Sequence, residues 1–327
     1  MYPSRRQVVL GALGAAASST LPLARAQASY PERPITFICP WPAGGTADAT
    51  MRALCVAASK ALGQPIVVEN KVGASGMVGL KAMTSAKPDG YTVGQIPISV
   101  ARFSQLGAVQ IDPAKDITYL ARTSGQTFGI AVRADSPYKT LAEYVAAAKA
   151  APGKITYGSA GIGGATHVGM EEFAMAAGIQ LNHIPYKGGA PALQDLLGGQ
   201  IDALADSSSW APHVKAGKLR LLATWGEKRT SEFPDAPNLK DAGYNVVVDA
   251  PNGVGAPKGL DPVVETKLRA AFKVAAASPE FAAACAKIDA PVLYLDGPDY
   301  GKYVADVYRK ETQLIDRLKL RELMAKG

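Results

Sequence analysis

Most of the usual sources of protein chemistry are scarce in this sequence. Its 327 residues hold three cysteines and three histidines. Cys39, Cys55 and Cys285 form an odd set with no C-x-x-C spacing, which argues against a disulfide framework and a zinc site. Cys39 and Cys55 stand in apolar runs and read as core residues, with a bridge between them as the alternative in an oxidising compartment. There is no G-x-x-x-x-G-K-[ST] for nucleotide phosphates, no H-E-x-x-H and no G-x-S-x-G nucleophile elbow. Gly73-Ala74-Ser75-Gly76 has the wrong register, and Gly161-Ile162-Gly163 is not completed as a G-x-G-x-x-G. Basic runs and basic-aromatic interleaving are missing too, which argues against nucleic acid as a partner. After Ala26 no apolar run approaches the roughly 20 residues that cross a bilayer. The pattern implies no metal and no cofactor.

The beginning of the chain is a different kind of segment. Ser4-Arg5-Arg6 precedes an apolar, small-residue run from Val8 to Ala17, and Leu23-Ala24-Arg25-Ala26 ends in an Ala-x-Ala pattern. This is the layout of a secretory signal peptide over residues 1–26, with Gln27 as the new N-terminus. The paired arginines fit the twin-arginine route or an ordinary Sec signal, and no cysteine stands at the cut to take a lipid. The expected destination is the periplasm. Removing Arg5, Arg6 and Arg25 lowers the formal charge from +7 to +4, a mild and dispersed balance that suits a small anionic ligand.

The remaining chain, about 300 residues, exceeds what one core usually fills and predicts two lobes. Apolar runs at Ile35–Cys39, Ile66–Glu69, Thr92–Ile96, Gly129–Arg133, Ile155–Gly158, Asn182–Ile184, Ala203–Ala205, Leu219–Ala223 and Val246–Val248 read as strands. Helix-like stretches alternate with them, which predicts an α/β fold whose sheets are mainly parallel and flanked by helices.

One segment, "PWPAGGTADATMR" from Pro40 to Arg52, follows the first strand. Strand, glycine turn and helix start is how a chain presents bare N–H groups to an anion. It has an echo. Ile35-Thr36-Phe37 leads into Gly44-Gly45-Thr46-Ala47-Asp48, and Ile155-Thr156-Tyr157 leads into Gly163-Gly164-Ala165-Thr166-His167. A third turn, Tyr186-Lys187-Gly188-Gly189, follows the Asn182–Ile184 strand. Ligands of open α/β sheets bind beyond the carboxyl ends of strands, so one loop from each lobe, facing across a cleft, would make a paired anion site. The plainer reading is that these glycine turns only connect elements. His167 is the histidine placed to touch a ligand or, more simply, to pack at its helix start. Ser159 with His167 could assemble a Ser–His enzyme, but no partner acid is evident.

These motifs, in this order, resemble the Bug/TctC solute-binding proteins of tripartite tricarboxylate transporters. "YPERPI" (Tyr30–Ile35), "PWPAGGTADATMR", "GQPIVVENKVGASGMVG" (Gly63–Gly79), "KPDGYT", "AAPGKITYGSAGIGGATH", "HIPYKGGAPALQDLLGGQID" and "PHVKAGKLRLLA" carry the resemblance over nearly all of the mature chain. It implies a two-lobed, Venus-flytrap fold, residues 27–124 plus 228–327 forming one lobe and 125–227 the other. It also implies a small-molecule carboxylate as ligand, large and small membrane subunits as partners, and a monomer. Carried onto this chain, Trp41, Gly44, Gly45, Thr46 and Asp48 would line one wall. Ser159, Gly161, Gly164, Ala165, Thr166 and His167 would line the other, with Tyr186, Lys187 and Asp206 nearby.

Asp48 has two readings: capping its own helix, or receiving a water, hydroxyl or amine of the ligand. The chain departs from the family pattern at "ISVARFSQLG" (Ile98–Gly107), which places Ser99 and Arg102 near the site. Arg102 reads as a bidentate partner for a second carboxylate or as a solvated surface arginine. Trp41 and Phe103 suggest an aromatic wall and with it an aromatic mono- or dicarboxylate, within an expected ligand class of di-, tri- or aromatic carboxylates. Three functions follow: delivery of a carboxylate to a transporter, sensing of it for a signalling partner, or a secreted α/β hydrolase.

Overall fold

The computed structural model describes residues 30–248 and 250–325, so the signal-peptide expectation for residues 1–26 lies outside the described residues. In chain order the strands are β1 (Ile35–Cys39), β2 (Ile66–Asn70), β3 (Thr92–Ile96), β4 (Ile117–Gly125), β5 (Gly129–Arg133), β6 (Thr156–Ser159), β7 (Asn182–Pro185), β8 (Ala203–Asp206), β9 (Leu219–Thr224), β10 (Pro251–Pro257) and β11 (Val292–Asp296). The helices are α1 (Thr46–Leu62), α2 (Met77–Thr84), α3 (Val100–Gln105), α4 (Leu141–Ala150), α5 (Ala165–Ala177), α6 (Gly189–Leu197), α7 (Ala211–Lys215), α8 (Pro262–Ala276), α9 (Pro279–Lys287), α10 (Gly297–Arg317) and α11 (Leu320–Ala325).

These elements build two helix-flanked sheets, ordered β11-β4-β10-β3-β1-β2 and β7-β6-β8-β5-β9. The chain passes from the first sheet to the second between Gly125 and Gly129 and returns between Thr224 and Pro251. The expected α/β layering is present, but the sheets are mixed rather than mainly parallel. β1 is parallel to β2 and β3, and β6 to β7 and β8. β10 is antiparallel to β3 and β4, and β5 to β8 and β9. The crossings explain this. β3, β4, β8 and β9 all end on the side where the chain changes sheets. A strand that enters from that side, as β5 and β10 do, has to run the other way.

Along β5 the side chains alternate, as a strand covered on both faces requires. Ile130 and Val132 join a cluster with Tyr144, Tyr157, Phe173 and Trp225, while Ala131 joins Leu193, Leu196, Leu204 and Trp210. Leu239, Val246 and Ala250 are buried in the first of these clusters. Residues just past the expected lobe boundary at 228 therefore pack with the second sheet, and Val246–Val248 is not a strand. Beside the first sheet, Ile38, Leu80, Ile96, Val100, Tyr300 and Val304 form a separate cluster. Tyr300, Val304, Glu311 and Ile315 are the buried face of α10, spaced at helical intervals. All three cysteines are buried and free, so Cys39 and Cys55 are not bridged.

Candidate functional site

β1 and β6 each run into a glycine-rich loop and then a helix, and both helix starts border one pocket. It holds about 680 Å³ of empty space, counting its mouth. Of the expected residues, Trp41, Gly45, Thr46 and Ser99 line it from the first sheet's side, and Gly164, Ala165, Thr166 and Asp206 from the second's. Gly44, Asp48, Arg102, Ser159, Gly161, His167, Tyr186 and Lys187 are not among the lining residues.

α1, from Gly45, and α5, from Gly164, start without a side-chain cap, as α2, α3, α6 and α7 also do. α4, α8, α9 and α10 are capped by Thr140, Asp261, Ser278 and Asp296. A helix start carries N–H groups with no intrahelical partner and the positive end of the dipole. At α1 and α5 no side-chain oxygen occupies that position. Thr46 lines the pocket, and its hydroxyl oxygen is buried with no hydrogen-bond partner.

Residues behind the wall fix the loops. Gly44, at φ +84°, donates its N–H to Asp48 Oδ2 at 3.0 Å. Arg52 Nε and Asn70 Nδ2 donate to the same carboxylate at 3.0 and 2.7 Å. Burial alone would raise the Asp48 pKa, but these three donors outweigh it and hold the group below the ordinary aspartate value. Asp48 clamps its own loop.

The second loop is held the same way. Gly163 N–H donates to His167 Nδ1 at 3.0 Å, Ala160 N–H to Thr166 Oγ1 at 3.2 Å and Gly161 N–H to Ser159 Oγ at 3.4 Å. Accepting at Nδ1 requires neutral imidazole, and burial pushes His167 down to about 3. Its ring stacks on His183 with centroids 4.0 Å apart. Ser159 pairs with His183 Nε2 at 2.7 Å rather than with His167, and it is fully buried.

Two sequence expectations are corrected. Arg102 neither lines this pocket nor stands in solvent. It is 5% exposed and forms a bidentate pair with Glu311 at 2.8 and 2.7 Å, while Nη1 donates to Gly163 O at 2.8 Å. Phe103 packs against Gly163, outside the pocket, and the aromatic lining residues are Trp41 and Phe128. Tyr186 donates to Asp195 at 2.6 Å, and Lys187 is exposed.

Sequence reasoning passed over Gln95, Gln126 and Phe128, which also line the pocket. Each is an isolated residue with no motif around it; Gln95 stands near the end of β3, and Gln126 and Phe128 lie in the crossing between sheets. Gln95 and Gln126 both donate to Asn252 Oδ1 at 2.9 Å. Among the described residues, Asp206 is the single ionisable group on the lining, and burial pushes it up to about 6 against hydrogen bonds from Ser209 and Ser207. No trio of His, Cys, Asp or Glu among the described residues is placed to hold a metal.

A family model described as "Tripartite tricarboxylate transporter family receptor" (TctC) matches residues 50–320. A Cupriavidus necator relative, "UPF0065 protein in gbd 5'region", is 45% identical over 321 residues, covering 97% of this chain and 98% of its own. R. palustris Rpa4515, solved with adipate, matches with a TM-score of 0.84 at 25% identity, over 89% of this chain and 98% of that one. MatC (Rpa3494) from Rhodopseudomonas palustris, solved with malate, matches with a TM-score of 0.80 at 25% identity, over 88% and 100%.

Proposed function

Because the chain belongs to the tripartite tricarboxylate transporter receptor family, we propose that it is a periplasmic solute-binding protein that captures a small carboxylate between its two lobes. It hands that ligand to the large and small membrane subunits of a tripartite transporter. The observation that carries the carboxylate is that two uncapped helix starts, at Gly45 and Gly164, border one pocket, with the unpartnered Thr46 hydroxyl in the first turn of α1. Neutral N–H donors and helix ends hold an anion without burying a full countercharge, so release stays easy. Adipate and malate in the two solved neighbours are ligands of the same kind. Binding without turnover fits the placement of Ser159 and its histidine behind the wall. Contacts from both loops favour the closed arrangement of the lobes when ligand is present.

The test is a thermal-shift screen of refolded, ligand-stripped protein against mono-, di-, tri- and aromatic carboxylates, with recovery of the ligand checked chromatographically. A ligand that binds only the native state raises Tm by mass action. A saturable rise with an acid, lost when the carboxylate is replaced by an amide, supports the reading. A flat response from folded protein, or consumption of the acid, overturns it.

A further inference from the structure

The starts of α1 and α5 offer donors in their uncapped first turns. Elsewhere on the lining stands a carboxyl group, Asp206, 3% exposed and fixed by the Ser209 hydroxyl at 2.5 Å. Its position against the start of α6 is built into the backbone: a Cβ at Gly189 would lie 2.1 Å from Asp206 Oδ2. Gln126 also lines the pocket, and its amide nitrogen donates to Asn252. The lining also includes Trp41, Pro97 and Phe128. None of the described lining residues is Lys, Arg or His; Arg102, three residues from Ser99, is taken up by Glu311 and Gly163, and Lys187, two residues from Gly189, is exposed.

A ligand with a carboxylate at both ends would therefore set its second charge in a pocket whose single ionisable group is another carboxyl, with no countercharge on the wall. We propose that the occupant is a carboxylate that also carries a hydrogen-bond donor, an amine, amide or hydroxyl, which Asp206 receives. This rests on the carboxylate reading of the α1 and α5 starts. It sets the chain apart from the neighbour solved with adipate, whose ligand has no donor at neutral pH. Near neutral pH Asp206 is mainly ionised, and a donor relieves the desolvation that burial imposes on it.

Calorimetry on ligand-stripped protein near neutral pH tests this with matched sets on three frames. The sets are succinate, succinamate and γ-aminobutyrate; adipate, adipamate and ε-aminocaproate; terephthalate, terephthalamate and para-aminobenzoate. The expected result is that in at least one frame a donor-bearing monocarboxylate binds about tenfold or more tighter than its dicarboxylate, as a charge-assisted bond allows. Asp206→Asn should reduce that preference to about twofold. Tightest binding by dicarboxylates, or a preference that Asp206→Asn leaves intact, overturns the inference while the carboxylate reading stands. No response to any of these acids from folded protein overturns both. If Asp206→Asn does not fold, the ratio measured on the unaltered protein decides alone.

Discussion

Arg102 Nη1 donates to the carbonyl of Gly163 at 2.8 Å, so a side chain of α3 holds the loop that leads into α5. The rest of the guanidinium faces Glu311 of α10, itself 8% exposed. Removing one partner of a buried pair strands the other charge, at a cost of about 3–5 kcal/mol. Arg102→Met should lose stability in that range, and Arg102→Met with Glu311→Leu should recover most of it. Urea unfolding of the three proteins checks this. A single variant as stable as the parent would show that the pair carries no such role.

Thr46→Val tests the unpartnered hydroxyl. The ligand-free protein should be as stable as the parent or slightly more so, because a buried hydroxyl without a partner opposes folding. Ligand affinity should fall about five- to tenfold, the worth of roughly one hydrogen bond. Melting curves and calorimetry on the same preparation separate the two effects. An unchanged affinity would place the ligand away from Thr46.

Asp48 acts from behind the wall. Asp48→Ala leaves Gly44 N–H, Arg52 and Asn70 without their shared acceptor and should cost about 1–3 kcal/mol. Affinity should drop as well, although the side chain does not border the pocket, because the glycine loop loses its clamp. Asp48→Asn, which keeps an acceptor, should restore part of the affinity. Equal affinity in the parent and Asp48→Ala would separate the clamp from binding.

His167 and His183 are pushed down by burial to about 3 and about 4. For such a group the unfolded chain takes up protons first. Its stabilising contribution is complete above the unfolded value near 6.5 and is lost as pH falls from there toward the folded value. Each histidine thus contributes up to about 1.4 kcal/mol per pH unit to the slope of stability between roughly pH 6 and 4. His167→Asn, which preserves an acceptor for Gly163, should flatten that slope by up to one proton. Urea midpoints measured across this window decide it; an unaltered slope would mean that His167 is charged in the folded protein.

Some of this architecture is legible in the sequence and some is not. Pro40–Arg52 announces its loop because two glycines and a helix-forming run lie side by side, and β1 to β3 stand as distinct apolar runs. β10 does not. Pro251-Asn252-Gly253-Val254-Gly255-Ala256-Pro257 has the composition of a turn, yet it is buried along its whole length. Its glycines serve close packing: a Cβ at Gly253 would sit 2.0 Å from the Tyr300 hydroxyl. Arg102 could not be placed from its surroundings because its partner is 209 residues away. Asp206 is legible as a neighbour of the site, but nothing near it in the sequence shows that it reaches the lining while His167 and Asp48 stay behind.

The order of the strands also bears on how such a protein would move. β4 and β10 are neighbours in one sheet, and β5 and β9 are neighbours in the other. The two connections therefore leave from adjacent strands and arrive at adjacent strands, like the two leaves of a strap hinge. If the two sheets turn against each other, the turn is carried by the two crossings, residues 126–128 and 225–250, and the helix starts at Gly45 and Gly164, which border the same pocket, would part and rejoin with it.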